Sequence, residues 1–182
     1  MTKETLDLFR TYLKSREASF LMGPVKIVAK AHIPEARLTT FNVPEMKEGS
    51  SVEVPRWVAE TLEENGLASR EEESVETELN RALQREKLQG PTQLSQVKGD
   101  LYLRLKRYLV MLRKRGKEDQ HYQKVFASAN SLMTLRLGKM VALVGLTSQP
   151  EPHSLLSPEE LTLFREIKDI VLLWRSMTLG GE

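Results

Sequence analysis

The chain has 182 residues, 40% of them hydrophobic and 29% charged, enough for one large domain or two small ones with a real core. It contains no cysteine, which excludes disulfides, thiolate metal sites and cysteine nucleophiles. No apolar run approaches the ~20 residues that cross a membrane, and Lys3, Glu4, Asp7 and Arg10 interrupt the start where a signal peptide needs apolar residues. A soluble, intracellular protein is expected.

The first element is a helix over 2–14, with Leu6, Phe9 and Leu13 on one stripe. Val25 to Ile33 is rich in branched residues and reads as a strand. A Pro34-Glu35 turn leads to a second strand, Leu38 to Val43, and Gly49 marks the turn before a third, Val52 to Val54. Gly49 can take φ > 0, and Val52 and Val54 share one face of their strand. Pro55 opens a helix that ends at Asn65-Gly66, with Trp57, Val58 and Leu62 as its apolar residues. Residues 22–68 thus form a small β-rich domain closed by one helix, preceded by a helical extension over 1–21.

Strand signals then vanish. Ser69 and Glu72 have capping-box spacing and place a domain boundary there, so that 69–182 reads as an all-α bundle of about four helices. Its first helix carries Val75, Leu79, Ala82 and Leu83 and stops before Gly90-Pro91. The second opens at Asp100 and presents Leu101, Leu105, Tyr108, Leu109 and Leu112, ending at Gly116. Glu118 and Asp119 start a long third helix with Val125, Phe126, Ala129, Leu132, Met133, Leu137, Met140, Val141 and Val144 on its stripe, and Gly145 stops it. After the loop Gln149-Pro150-Glu151-Pro152, Ser157-Pro158-Glu159-Glu160 combines an N-cap, a helix-starting proline and a capping-box glutamate. Leu161, Phe164, Ile167, Val171 and Trp174 line the last helix. The fold class is α+β, strands first and helices second.

Little in the chain reads as catalytic. His32, His121 and His153 stand far apart, each without a ligand at i+3 or i+4, and read as lone surface or half-buried side chains. The runs Glu71-Glu72-Glu73 and Glu159-Glu160 fall at helix starts, where the dipole accounts for them. No phosphate-cradling glycine loop, nucleophile elbow or zinc spacing occurs, so no cofactor and no metal is expected. An enzyme with a site between the two domains is the least supported reading.

The charge is uneven. Residues 91–146 hold 11 Lys/Arg against 3 Asp/Glu, a local +8. Arg104, Lys106, Arg107, Arg113, Lys114, Arg115 and Lys117 crowd the second helix of the bundle and its end. Three readings stand: a solvated face helped by the C-terminal dipole, a contact with an acidic protein, or weak non-specific binding of nucleic-acid phosphate. Leu135, Leu143, Leu163, Leu172 and Leu173 fall off the main stripes; any one of them could thicken the core, but together they form an apolar surplus that points to a partner.

The segment Gly49…Val52-Glu53-Val54-Pro55-Arg56-Trp57-Val58-Ala59 resembles the GINS family of DNA-replication proteins, in the subunit class with the small domain first. Leu101 to Leu109 resembles the early helix of that family's helical domain. Leu135-Arg136-Leu137-Gly138-Lys139-Met140 is similar to its Arg-x-x-Lys helix, and Leu156-Ser157-Pro158-Glu159-Glu160-Leu161 to the opening of its last helix. The resemblance covers about residues 22–178 and leaves the first helix without a counterpart. It implies a non-enzymatic scaffold that joins the MCM helicase to a Cdc45 or RecJ-like protein. It further implies a heterotetramer, two copies with two of the helical-domain-first class. The character is more archaeal than eukaryotic, hence cytoplasmic and nucleoid-associated; a eukaryotic member would be nuclear. Gly49, Val52, Val54, Pro55, Trp57 and Leu62 would hold the small domain together. Arg136 and Lys139, with Leu135, Leu143, Leu172 and Leu173, would mark the subunit interface. For the two cations, ion pairs inside the bundle or at the tetramer centre, and snorkelling to solvent, remain equally open.

Overall fold

Val25, Ile27 and Ala29 are buried and alternate with more exposed neighbours along β1 (Pro24–Ala29), which gives this strand one inward face. The computed structural model describes residues 3–38, 41–116, 119–146 and 152–180. The fold is mixed α+β and divides into two units, Met1–Glu73 and Ser74–Glu182. Among the described residues no helix is long and apolar enough to cross a membrane.

The first unit opens with α1 (Lys3–Met22), longer than the helix expected over 2–14. Strand β1 is shorter than the expected Val25 to Ile33, and Ile33 forms an isolated bridge to Met46. Residues Leu38 to Val43 are not one strand. β2 (Ala36–Arg37) and β3 (Asn42–Val43) pair as a hairpin that reverses through Leu38, whose N–H donates to the Phe41 carbonyl. Thr39 and Thr40 lie outside the described residues.

β4 (Ser51–Pro55) pairs antiparallel with β1 in the register Val25↔Val54 and Ile27↔Val52, and α2 (Arg56–Glu64) follows at once. Gly49 has φ +79° and Gly66 φ +72°, left-handed positions that glycine adopts without a Cβ clash. The boundary expected at Ser69 is displaced. Ala68–Arg70 forms β5, which takes the other edge of β1 through Val28↔Ser69 and Ala29↔Ala68. Pairing satisfies those backbone groups better than an isolated helical turn would. Ile27, Met46, Val54, Ala59 and Ala68 fill the core beneath the sheet order β4-β1-β5.

The second unit holds α3 (Val75–Leu88), α4 (Leu101–Arg115), α5 (Gln120–Gly145) and α6 (Pro158–Leu179). Ser74, not Ser69, caps α3 by accepting from the Thr77 N–H. Asp119 caps α5 through the His121 N–H; Glu118 and the loop residues 149–151 lie outside the described residues. At α6 the expected capping box forms in full, with Pro158 in the first turn. One apolar cluster joins Leu79 of α3, Leu101, Leu105 and Leu112 of α4, and Val125 and Leu132 of α5. A second joins Met140 and Val144 of α5 with Leu156 and Phe164 at the start of α6.

Candidate functional site

Leu79, Ala82 and Leu83 put the inner face of α3 into the core, and Glu86 continues that face seven residues after Leu79. A carboxylate carried there must find cations. Arg136 and Lys139 of α5 supply them, on the face that also buries Leu132 and Met140. Arg136 is 0% exposed and every one of its five N–H donors has an acceptor. Nε and one Nη2 hydrogen donate to the two oxygens of Glu160 at 2.5 and 2.8 Å. Nη1 donates to Glu86 Oε2 and to the Ser95 carbonyl, both at 2.7 Å, and Nη2 also to the Leu155 carbonyl at 2.9 Å.

The surroundings complete the network. Lys139 Nζ pairs with Glu86 Oε1 at 2.8 Å and donates to the Glu86 carbonyl at 2.6 Å. The Ser95 hydroxyl donates to Glu86 Oε2, and the Tyr102 hydroxyl to Glu160 Oε1, both at 2.6 Å. Burial pushes the Glu86 carboxyl up, but the contacts of Lys139 and Ser95 and the Arg136 charge outweigh it, leaving it below the usual carboxylate range. Burial opposes the Arg136 charge, yet Glu160 raises its pKa above the ordinary guanidinium value. Burial first, and then Glu160, push the Tyr102 hydroxyl well above the usual phenol. These shifts hold Glu86 as a carboxylate, Arg136 as a cation and Tyr102 as a neutral hydroxyl. The arrangement fastens α3, α5, α6 and two loops.

Arg136 and Lys139 therefore do not reach a surface: of the readings open to them, the ion pair inside the bundle is the one found, and snorkelling is not. Leu143 is half-buried against the second cluster. Leu135, Leu172 and Leu173 are exposed, Leu173 at 63%.

The basic helix is also reduced. Arg104 is buried and donates to Glu78 Oε2 at 2.6 Å, so it is no candidate for an acidic partner or for DNA. Arg107 is half-buried, Arg113 and Lys114 are exposed, and neither Lys117 nor the Arg115 side chain is among the described parts. His121 is not isolated. Its Nε2 lies 3.0 Å from Glu76 Oε1 and 3.1 Å from the Tyr108 hydroxyl, tying α5 to α3 and α4.

In the first unit, Val54 is buried, while Val52, Pro55, Trp57 and Leu62 are half-buried around the core. The buried polar residue of this corner is Arg56, whose guanidinium is hydrogen-bonded to Glu72 and lies 4.2 Å from the centre of the Phe20 ring. Glu86, Glu160 and Glu78 were readable as oddities only through their place on apolar stripes. Among the described residues, no group of three or more His, Asp or Glu side chains is placed to hold a metal ion.

No family model matches the chain, and neither does any curated protein.

Proposed function

We propose that this chain is a non-catalytic scaffold subunit of a GINS-type complex, linking the MCM replicative helicase to a Cdc45 or RecJ-like protein. The observation that carries the reading is the Val52–Leu62 corner. The Val-Glu-Val-Pro-Arg-Trp-Val-Ala wording lies at a strand-to-helix junction, in the unit that holds the strands and precedes an all-helical one. The tail of α6 adds support. Ile170, Leu173, Trp174 and Met177 stand at i, i+3, i+4 and i+7, all at least half exposed. An apolar stripe of that width is stabilised by another protein rather than by water.

Co-expression with a helical-domain-first GINS protein from the same cell tests the proposal. Co-purification at a fixed ratio, lost on Leu173→Asp and Trp174→Asp, is the expected result; separate elution rejects it. The alternative, a nucleic-acid-binding module on α4, retains Arg113 and Lys114 but has lost Arg104 to Glu78.

A further inference from the structure

Strand β4 is the outer strand of the β4-β1-β5 sheet, and bonds at both ends of its ladder fix which way its backbone groups point. The Arg56 N–H donates to the Gly23 carbonyl and the Ala29 N–H to the Ser50 carbonyl. In the register Val25↔Val54 and Ile27↔Val52, Val52 and Val54 therefore turn their N–H and C=O to β1. Those of Ser51 and Glu53 point the opposite way, off the edge of the sheet. Among the described residues no strand lies on that side of β4, and the side chains of Ser51 and Glu53 are exposed. Such an edge is a template for one more antiparallel strand.

The side chains say which strand fits. Lys26, opposite Glu53 on β1, is paired with Glu71 at 2.7 Å, which leaves the Glu53 carboxylate to accept from its outer side. We infer that β4 pairs antiparallel with β4 of a second copy, about a twofold axis through Val52. Ser51 of each copy then faces the partner's Glu53, and each such pair exchanges both of its N–H···O=C bonds. The Ser51 hydroxyl stands opposite the partner's carboxylate as a donor, and the half-buried Val52 is covered by its own counterpart. Pairing stops by itself at the next position. There Pro55 meets the partner's Gly49; proline has no N–H, and the Gly49 N–H is already given to the Ala29 carbonyl. Neighbouring registers are worse. An axis at Glu53 sets two carboxylates face to face, a destabilising pair, and an axis at Ser51 places Glu53 against that same occupied Gly49 N–H. So short a contact makes a weak dimer. This inference does not depend on membership of any replication complex.

The chain has no cysteine, so introduced ones report the register directly. Full-length Ser51→Cys and Glu53→Cys chains, mixed and oxidised gently, should cross-link mainly to each other, because facing residues lie about 5.5 Å apart, within disulfide reach. Each variant alone faces its cysteine with a residue that is not one. Mass spectrometry should show the mixed disulfide well beyond its random share. A random mixture, or no disulfide, would overturn the inference. Sedimentation supplies a second readout. The parent should dimerise below about 1 mM, and Ser51→Lys should tighten the dimer at least about threefold by facing the partner's Glu53, an effect that fades with salt. Glu53→Pro removes an outward N–H and leaves the ladder to β1 intact, so it should abolish the dimer with little change in the dichroism melt. A parent that stays monomeric at about 1 mM would contradict the pairing. So would a dimer that survives Glu53→Pro and is lost on Trp174→Asp, which assigns self-association to α6.

Discussion

Arg136 grips both carboxylate oxygens of Glu160, at 2.5 and 2.8 Å, from a position with no exposed surface. Glu160 simultaneously closes the capping box of α6 by accepting from the Ser157 N–H at 2.9 Å. One carboxylate therefore both starts a helix and fastens it to α5.

Removing only the cation should be severe. Arg136→Met leaves Glu86 and Glu160 buried without their main partner, a loss of roughly 3–5 kcal/mol for a broken buried pair. Denaturant unfolding of the variant checks this. Pairing Arg136→Met with Glu86→Leu should recover part of the loss, since a packed apolar substitute is often neutral. A double variant as unstable as the sum of the single ones would show that the sites are not coupled.

Glu86 should give the protein an acid limb. Its folded pKa lies below the ordinary carboxylate value, so the folded state binds fewer protons than the unfolded one. The stabilisation is present above the unfolded carboxylate pKa, about 4.3, and is lost as pH falls through the depressed folded value. Glu86→Gln should flatten stability against pH in that window and lower it near neutrality. A Gln variant with an unchanged acid limb would remove Glu86 as the cause.

In the small unit, the ranking of substitutions follows burial. Ile27 is fully buried and Trp57 only partly, so Ile27→Ala should cost about 2–5 kcal/mol and Trp57→Ala less than the roughly 3–5 of a fully enclosed ring. Urea midpoints with constant m-values measure both. A larger loss for Trp57 would mean that its ring is more enclosed than this packing gives.

The basic helix should separate folding from binding. Arg104→Glu would set a second carboxylate against Glu78 and should lower stability. Arg113→Glu with Lys114→Glu should leave stability unchanged. Duplex DNA should bind the parent no better than a non-specific contact, about 10⁻⁴–10⁻⁶ M at physiological salt. Sub-micromolar affinity that the Arg113 and Lys114 reversals abolish would favour the nucleic-acid reading.

Local signals told the elements well where the chemistry was local. Ser157-Pro158-Glu160, Asp119 and Asn65-Gly66 mark helix ends through contacts within four residues, and each stands where expected. The strand Ala68–Arg70 was invisible because nothing in its three residues alternates; its partner is β1, some forty residues back. The ion network was half visible. Arg136 and Lys139 looked misplaced on an apolar helix, but Glu86 lies 50 residues from Arg136 and Glu160 lies 24 away. Glu160 was explained locally as a cap, which hid its second partner. Arg104 reads in sequence like its charged neighbours, because sequence alone does not show that its helix turns it towards Glu78. Phe126 and Met133 fit the core periodicity of α5, and only the packing leaves them exposed.

The most direct test of the scaffold proposal is light scattering after size exclusion, on this chain alone and co-expressed with a helical-domain-first GINS protein. The account predicts one stable species near the mass of two copies of each chain. A monomer of about 20.8 kDa that ignores the partner would contradict it.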